Sequence, residues 1–307
     1  MKLKKTISLL LCFVLLLPFA VMANAEGVRY ETPYEDSEFF DYGEYELHYR
    51  VLPAEGEEKG QIMMLHGFAE STYCWTNLAA ILTENGYTCV LVDNPDFGYS
   101  SRETKDTAKL PREEIIHALM AELSDEPWYL AGHSMGGYVA LAVAQTYPES
   151  VKNLLLYGTS GNDGNAATGI MGNDVFASVM GPMMELAGKC KPLVRLLLRL
   201  AIQDNEYVNT YAVDAIVEPF RIKGTGAGAI YNFSMLTPTD YEFVSSFSPI
   251  LFMNGDKDKV ISDRARVSLR EALPENSVDY IIEGGGHMFI ENMADQTARV
   301  TLDFLSR

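Results

Sequence analysis

Gly132-His133-Ser134-Met135-Gly136 is the stretch of this chain whose residue types and spacing most directly imply chemistry. It follows an apolar run that reads as a strand and opens a run that reads as a helix. A serine at such a strand-to-helix turn must adopt strained backbone angles to lift its hydroxyl above the sheet. Flanking glycines remove the side chains that would clash there. The Met135 N–H, at the helix N-terminus, then points at an oxyanion developing beside Ser134. A serine hydroxyl is a poor nucleophile at neutral pH. It needs a histidine to take its proton and return it to the leaving group, and an acid to fix the imidazole tautomer. The chain holds five histidines, His48, His66, His117, His133 and His287, and many carboxylates. Residue types alone leave the choice among them open.

The elements that must position these groups are legible as patterns. Tyr45, Leu47, Tyr49 and Val51 alternate with Glu44, Glu46, His48 and Arg50, which predicts a half-buried antiparallel strand. Short apolar runs predict buried strands over 62–65, 88–92, 128–131, 151–157, 250–253 and 278–282. Apolar residues at helical spacing predict helices over 72–84, 111–123, 135–147, 263–273 and 290–305. Buried strands alternating with helices imply a parallel sheet covered on both faces. Residues 161–247 break the alternation and read as helices and loops inserted between two strands. They carry Met171, Met180, Met183 and Met184, a leucine-rich run over 193–202, and Gly224, Gly226 and Gly228, which read as a hinge or flexible turn. Residues 26–37 read as a loose acidic lead-in.

With Gly132-His133-Ser134-Met135-Gly136-Gly137 in this context, the chain resembles the α/β-hydrolase superfamily, in wording close to its lipase, esterase and monoacylglycerol-lipase-like members. The likeness runs from about residue 38 to the C-terminus, except the insertion. It implies a mostly parallel sheet with helices on both faces, a catalytic domain formed by 26–160 and 248–307, and an inserted helical cap or lid over 161–247. It implies His287, after Gly284-Gly285-Gly286, as the base, and Asp258 of Gly255-Asp256-Lys257-Asp258 as the acid, with Asp256 the runner-up. The order Ser134, Asp258, His287 is the family's. His66-Gly67-Phe68 ends a strand as the family's oxyanion loop does, so Phe68 N–H is implied as the second oxyanion donor beside Met135. Asp93 to Ser101 resembles a structural loop of the family, departing from it at Pro95-Asp96. The cap methionines with Phe176, Tyr211, Phe220 and Phe233 are candidates for an apolar acyl pocket. His66 is expected to brace the oxyanion loop and His133 to pack locally. His48 and His117 read as surface residues, and Glu291 as a solvated helix-start glutamate.

Together these readings imply a secreted serine hydrolase cleaving carboxylic esters through an acyl-enzyme. The alternatives are an aminopeptidase like the proline iminopeptidases, for which Glu185, Asp204, Glu206, Asp214 and Glu218 are available to bind an amine, a carbon–carbon bond hydrolase, and a catalytically silent binding module. Lys2, Lys4 and Lys5, the apolar run 7–22 and Ala23-Asn24-Ala25 read as a signal peptide over 1–25, which places the protein outside the cytoplasm. The chain carries 42 acids against 24 bases, a formal charge of -18. Without the three leader lysines, 42 acids stand against 21 bases, a charge of -21. That balance excludes nucleic acid as a partner and opposes docking on an anionic membrane by overall charge. The expected partner is a small-molecule or lipid-like ester. Cys74, Cys89 and Cys190 remain after the leader, an odd number with no metal-site spacing, and no cofactor or metal is implied.

Overall fold

The computed structural model of the protein describes residues 30–43, 45–102, 111–162, 174–234 and 236–307. The expected leader over 1–25 and Met171 lie outside them, as does the burial of Phe233. Eight strands form one sheet: β1 (Ser37–Tyr42), β2 (Tyr45–Leu52), β3 (Gly60–Leu65), β4 (Tyr87–Val92), β5 (Trp128–His133), β6 (Val151–Tyr157), β7 (Ile250–Gly255) and β8 (Val278–Ile282). Their spatial order is β1-β2-β4-β3-β5-β6-β7-β8. β2 runs antiparallel to β1 and β4, and every other pairing is parallel. The helices of the catalytic part before the insertion are α1 (Thr76–Glu84), α2 (Arg112–Leu123) and α3 (Met135–Thr146). Between β6 and β7 lie α4 (Asp174–Gly188), α5 (Lys191–Ile202), α6 (Asn205–Thr210), α7 (Asp214–Val217), α8 (Thr225–Ser234) and α9 (Tyr241–Ser246). α10 (Asp263–Glu271), α11 (Phe289–Asn292) and α12 (Ala294–Leu305) follow.

Period-2 alternation along each strand divides the core in two. Met63, Leu65, Leu154 and Phe252 face α2, α3 and α10 through Ile115, Val139 and Leu269. Ile62, Met64, Leu155 and Met253 face α1 and α12 through Leu78 and Phe304. Both faces of the central strands are apolar because both are covered, which is why they read as unbroken runs rather than alternations.

The inserted helices are anchored by two buried arginines. Arg102 Nε donates to Thr225 Oγ1 on α8 (2.8 Å), and Arg112 Nε donates to Asn232 Oδ1 on the same helix (3.0 Å). The expected hinge at Gly224–Gly228 is corrected. Only Gly224 has a left-handed backbone, and Gly226 and Gly228 lie inside α8. A Cβ at Gly226 would overlap the Gly181 carbonyl of α4, so glycine serves here to let two helix backbones touch. Three further differences have local causes. β1 has no sustained apolar pattern and gains its order by pairing with β2. The lead-in is packed: Arg50 lies over the Tyr34 ring at 4.2 Å and is paired with Asp36. The last helix is interrupted at Met293, leaving α11 and α12.

Candidate active site

β5 ends at His133, and Ser134 takes φ 52°, ψ -116° before α3 begins. Such angles are unfavourable for a residue with a Cβ and persist only where the surroundings fix them. Here the Ser134 N–H donates to Tyr157 O (2.9 Å), and its carbonyl accepts from Thr159 Oγ1 (2.8 Å) and from Gly137 N–H (3.0 Å). The elbow glycines answer to close approach. A Cβ on Gly136 would overlap the Leu65 carbonyl, and one on Gly132 would crowd the Gly136 carbonyl.

The structure brings His287 and Asp258 together. His287 Nδ1 lies 3.0 Å from Asp258 Oδ2, the Asp258 side chain is fully buried, and Asp258 Oδ1 accepts the Val260 and Ile261 N–H groups. Burial pushes this carboxyl up, but the His287 hydrogen bond and charge, with the two N–H groups, hold it below the ordinary value. Asp256 is exposed and accepts the Gly284 N–H (2.7 Å), so it shapes the turn before His287 instead of meeting the imidazole. The His287 ring centroid is 4.9 Å from that of His133, the neighbour of Ser134.

Phe68 and Met135 lie in one apolar cluster with Phe97 and Ala229, joined by Tyr138, Met184 and Leu236. Phe68 and Phe97 meet edge to face at 5.6 Å. Of the expected cap residues, Met184 reaches this cluster, whereas Phe220 and Tyr211 are buried elsewhere in the cap. His66 is buried and joins the oxyanion loop to the next one. Its Nδ1 is 2.7 Å from Gly67 O, and its Nε2 accepts the Asn94 N–H (2.9 Å). Burial pushes it down, keeping it neutral.

One pair beneath the site was not visible in the sequence. His133 Nδ1 is 2.9 Å from Glu70 Oε2, and His133 Nε2 is 3.0 Å from the His287 carbonyl. Both partners accept, so the ring donates from both nitrogens. Burial opposes charging either group, yet the Glu70 carboxylate raises His133, and His133 lowers Glu70 to about 2. Glu70 Oε2 also accepts the Gly67 N–H (2.7 Å). This buried ion pair therefore ties three segments: the oxyanion loop, the elbow and the histidine loop. The cap makes a fourth tie, because the Ala201 carbonyl near the end of α5 accepts the His287 N–H (2.6 Å). Glu291 is buried, not solvated. Burial, with the Glu70 charge, pushes it well above its usual value, and Tyr211 OH donates to its Oε1 (3.2 Å).

His48 is likewise fully buried, contrary to the surface reading. Its Nδ1 is 2.6 Å from Asp93 Oδ2 and its Nε2 is 2.8 Å from Ser37 Oγ. Asp93 also accepts the Thr72 and Tyr99 N–H groups. In the same loop Asp96 takes the left-handed φ of 68° where glycine would be usual, and Arg112 and Asn232 hold its carboxylate. His117 is half-buried, stacked on Tyr147 at 3.7 Å. A groove of about 930 Å³ where β5, β6 and β7 begin, lined by Tyr129, Lys152 and Ser277, contains none of these groups.

Residues 61–179 match the family model described as the alpha/beta hydrolase fold. A Haemophilus influenzae protein named as an esterase/lipase is 27% identical over 228 residues, covering 72% of this chain and 75% of its own. A 2-hydroxy-6-oxo-6-phenylhexa-2,4-dienoate hydrolase of Comamonas testosteroni is 32% identical over 125 residues, 39% of this chain and 42% of its own. Among solved structures, Cfl2 of Burkholderia cenocepacia superposes with a TM-score of 0.72 at 22% identity, covering 88% of this chain and 95% of that one.

Proposed function

The chain belongs to the α/β-hydrolase superfamily, and from that premise we propose that it is an exported serine hydrolase of carboxylic esters. Ser134 attacks the carbonyl carbon while His287 takes its proton. Asp258 holds the imidazole tautomer and stabilises the imidazolium, and the N–H groups of Phe68 and Met135 receive the oxyanion. Collapse of the tetrahedral intermediate expels the alcohol, protonated by His287, and leaves an acyl-Ser134. Water, deprotonated by the same histidine, then releases the acid. The observation that carries this reading is the buried Asp258–His287 pair (3.0 Å) set beside the strained Ser134 turn. An apolar acyl group is favoured by the Phe68, Phe97, Met135 and Met184 cluster.

Four of the five carboxylates available to the aminopeptidase reading are already engaged, and the fifth, Glu206, is exposed. Glu185 accepts the Gly224 N–H, Asp204 caps α6, Asp214 pairs with Lys191 and Glu218 with Arg221. The likeness to the dienoate hydrolase favours a second reading, cleavage of a carbon–carbon bond by the same groups, over a shorter stretch of chain.

Fluorophosphonate labelling and an ester panel test the proposal. We expect the tag on Ser134 and turnover of acyl esters with a dependence on acyl length. Turnover of proline naphthylamide or a 2-hydroxy-6-oxodienoate, with none of any ester, would overturn it. The export reading predicts that the released protein begins at Glu26. An N-terminus at Met1 in the membrane fraction would refute it.

A further inference from the structure

Helix α5 has two apolar stripes. Val194, Leu198 and Ile202 are buried and pack on Tyr211, Val217 and Met288, the residue after His287. Leu193, Leu196, Leu197 and Leu200 form the opposite stripe at i, i+3, i+4 and i+7 and face solvent, Leu196 at 52% and Leu200 at 51% exposure. Of the nine large hydrophobics exposed among the described residues, six fall between Val179 and Leu200. Scattered exposed leucines need no explanation, but a contiguous stripe marks an interaction surface.

The charge of the same segment is inverted relative to the chain. Residues 186–202 contain Lys189, Lys191, Arg195 and Arg199 and no acid, in a protein of formal charge -18. Lys189 pairs with the half-buried Glu185, and Lys191 with Asp214 at an exposed site, where such a pair holds weakly. Arg199 donates to the neutral Asn209, and among the described residues neither Arg195 nor Arg199 pairs with a carboxylate. Leucines with lysines and arginines flanking them on one helix fit an interfacial helix whose cations snorkel to headgroups.

We propose that α5 docks this protein on an anionic lipid surface, with the four leucines entering the acyl boundary and the cations meeting the headgroups. The overall acidic charge repels such a surface, so approach must be led by a local cationic face. Charges more than about 10 Å from that face are largely screened at physiological salt. A second copy is a poor occupant. A two-fold contact would set the patch against itself and bring like cations together. Docking also bears on the site, since the Ala201 carbonyl of this helix holds the His287 N–H.

Cys190 provides the test: it caps α5 and is exposed, whereas Cys74 and Cys89 are buried. The chain from Glu26, whose cysteines are Cys74, Cys89 and Cys190, is labelled at Cys190 with an environment-sensitive fluorophore and mixed with phosphatidylglycerol or phosphatidylcholine vesicles. The readout is binding and insertion, not turnover, so it fails or succeeds separately from the ester reading. The expected result is a blue shift with at least about tenfold tighter partition to the anionic vesicles, on the scale of about fivefold per cation. Leu196→Glu with Leu200→Glu should abolish it with unchanged circular dichroism, and Lys191→Glu with Arg199→Glu should erase the anionic preference. Unshifted emission on anionic vesicles, equal partition to both lipids, or a dimer that the leucine variant dissociates would each overturn the proposal.

Discussion

The protein holds two buried His–Asp pairs, each with a serine on a neighbouring segment. In Ser37–His48–Asp93 the Nδ1–Oδ2 distance is 2.6 Å and the serine hydroxyl is 2.8 Å from Nε2. In Ser134–His287–Asp258 the Nδ1–Oδ2 distance is 3.0 Å. By hydrogen bonding the first is the more complete, since its serine–histidine and histidine–aspartate contacts are both made. What separates them is the surroundings. Ser37 lies in edge strand β1 and its hydroxyl is also bonded to Thr32, while Asp93 serves two backbone N–H groups of neighbouring loops. That set joins the lead-in around Thr32 and Ser37 to the sheet. Ser134 stands at a strained turn at the head of a helix, with an apolar cluster beside it. Nucleophilic chemistry needs a place for the oxyanion and for the acyl group, and a triad without them is a structural clasp.

The largest effect expected is also the sharpest contrast. Ser134→Ala should lower ester turnover by about 10⁴-fold or more with an unchanged thermal midpoint, whereas Ser37→Ala should leave kcat within about twofold. A fluorophosphonate adduct on the Ser37 peptide would break the comparison. The acids should separate in the same way. Asp258→Asn is expected to cost about 10⁴ in kcat, as loss of the correct tautomer does, and Asp256→Asn only severalfold, both read from initial rates on one ester. In the clasp, His48→Asn should be seen in urea unfolding as a loss of about 2 kcal/mol, by leaving the buried Asp93 carboxylate short of its partner, with little change in kcat.

The ion pair under the site gives a loss of stability and a pH signature. Glu70→Gln strands a charged His133 and should cost about 3 kcal/mol in unfolding free energy. Because the folded Glu70 carboxyl sits at about 2 against 4.5 in a free chain, its contribution is fully present above pH 4.5 and is lost as pH falls toward 2. The two proteins should therefore converge in stability in acid. Glu291 carries the opposite sign. Its folded carboxyl stays protonated above 4.5, so stability falls as pH rises past that value, by about 1.4 kcal/mol per unit until the folded group ionises. Glu291→Gln keeps an acceptor for Tyr211 and should remove that slope, raising the urea midpoint at pH 8 but not at pH 4.5.

The central strands and the elbow were legible because their signals are local: unbroken apolar runs, and glycines required by backbone contact at Gly132 and Gly136. His287 and Asp258 were legible by likeness to a family pattern, and the 3.0 Å contact now gives that choice a geometric reason. What escaped was set by partners far along the chain. Glu70 lies in an ordinary loop and acquires meaning from His133, 63 residues later. Glu291 looked like a helix-start residue because nothing in its own segment reports that Tyr211 covers it. His48 alternates with Leu47 and Tyr49 as an outward residue should, but that face of β2 is roofed by the lead-in and by Tyr99. Period-2 reasoning assigns the face, and only the fold says whether water reaches it.

The hydrogen bond from the His287 amide to the Ala201 carbonyl limits how this enzyme can be recombined. Inserted segments of this kind are natural candidates for exchange between relatives, since they begin and end at neighbouring strands. Here, a grafted segment would remove the acceptor that fixes the His287 peptide group. A transplant that preserved both junctions but offered no carbonyl at that point would leave the His287 loop without its anchor. Successful chimaeras should therefore retain α5 through Ile202 and vary what lies on either side of it.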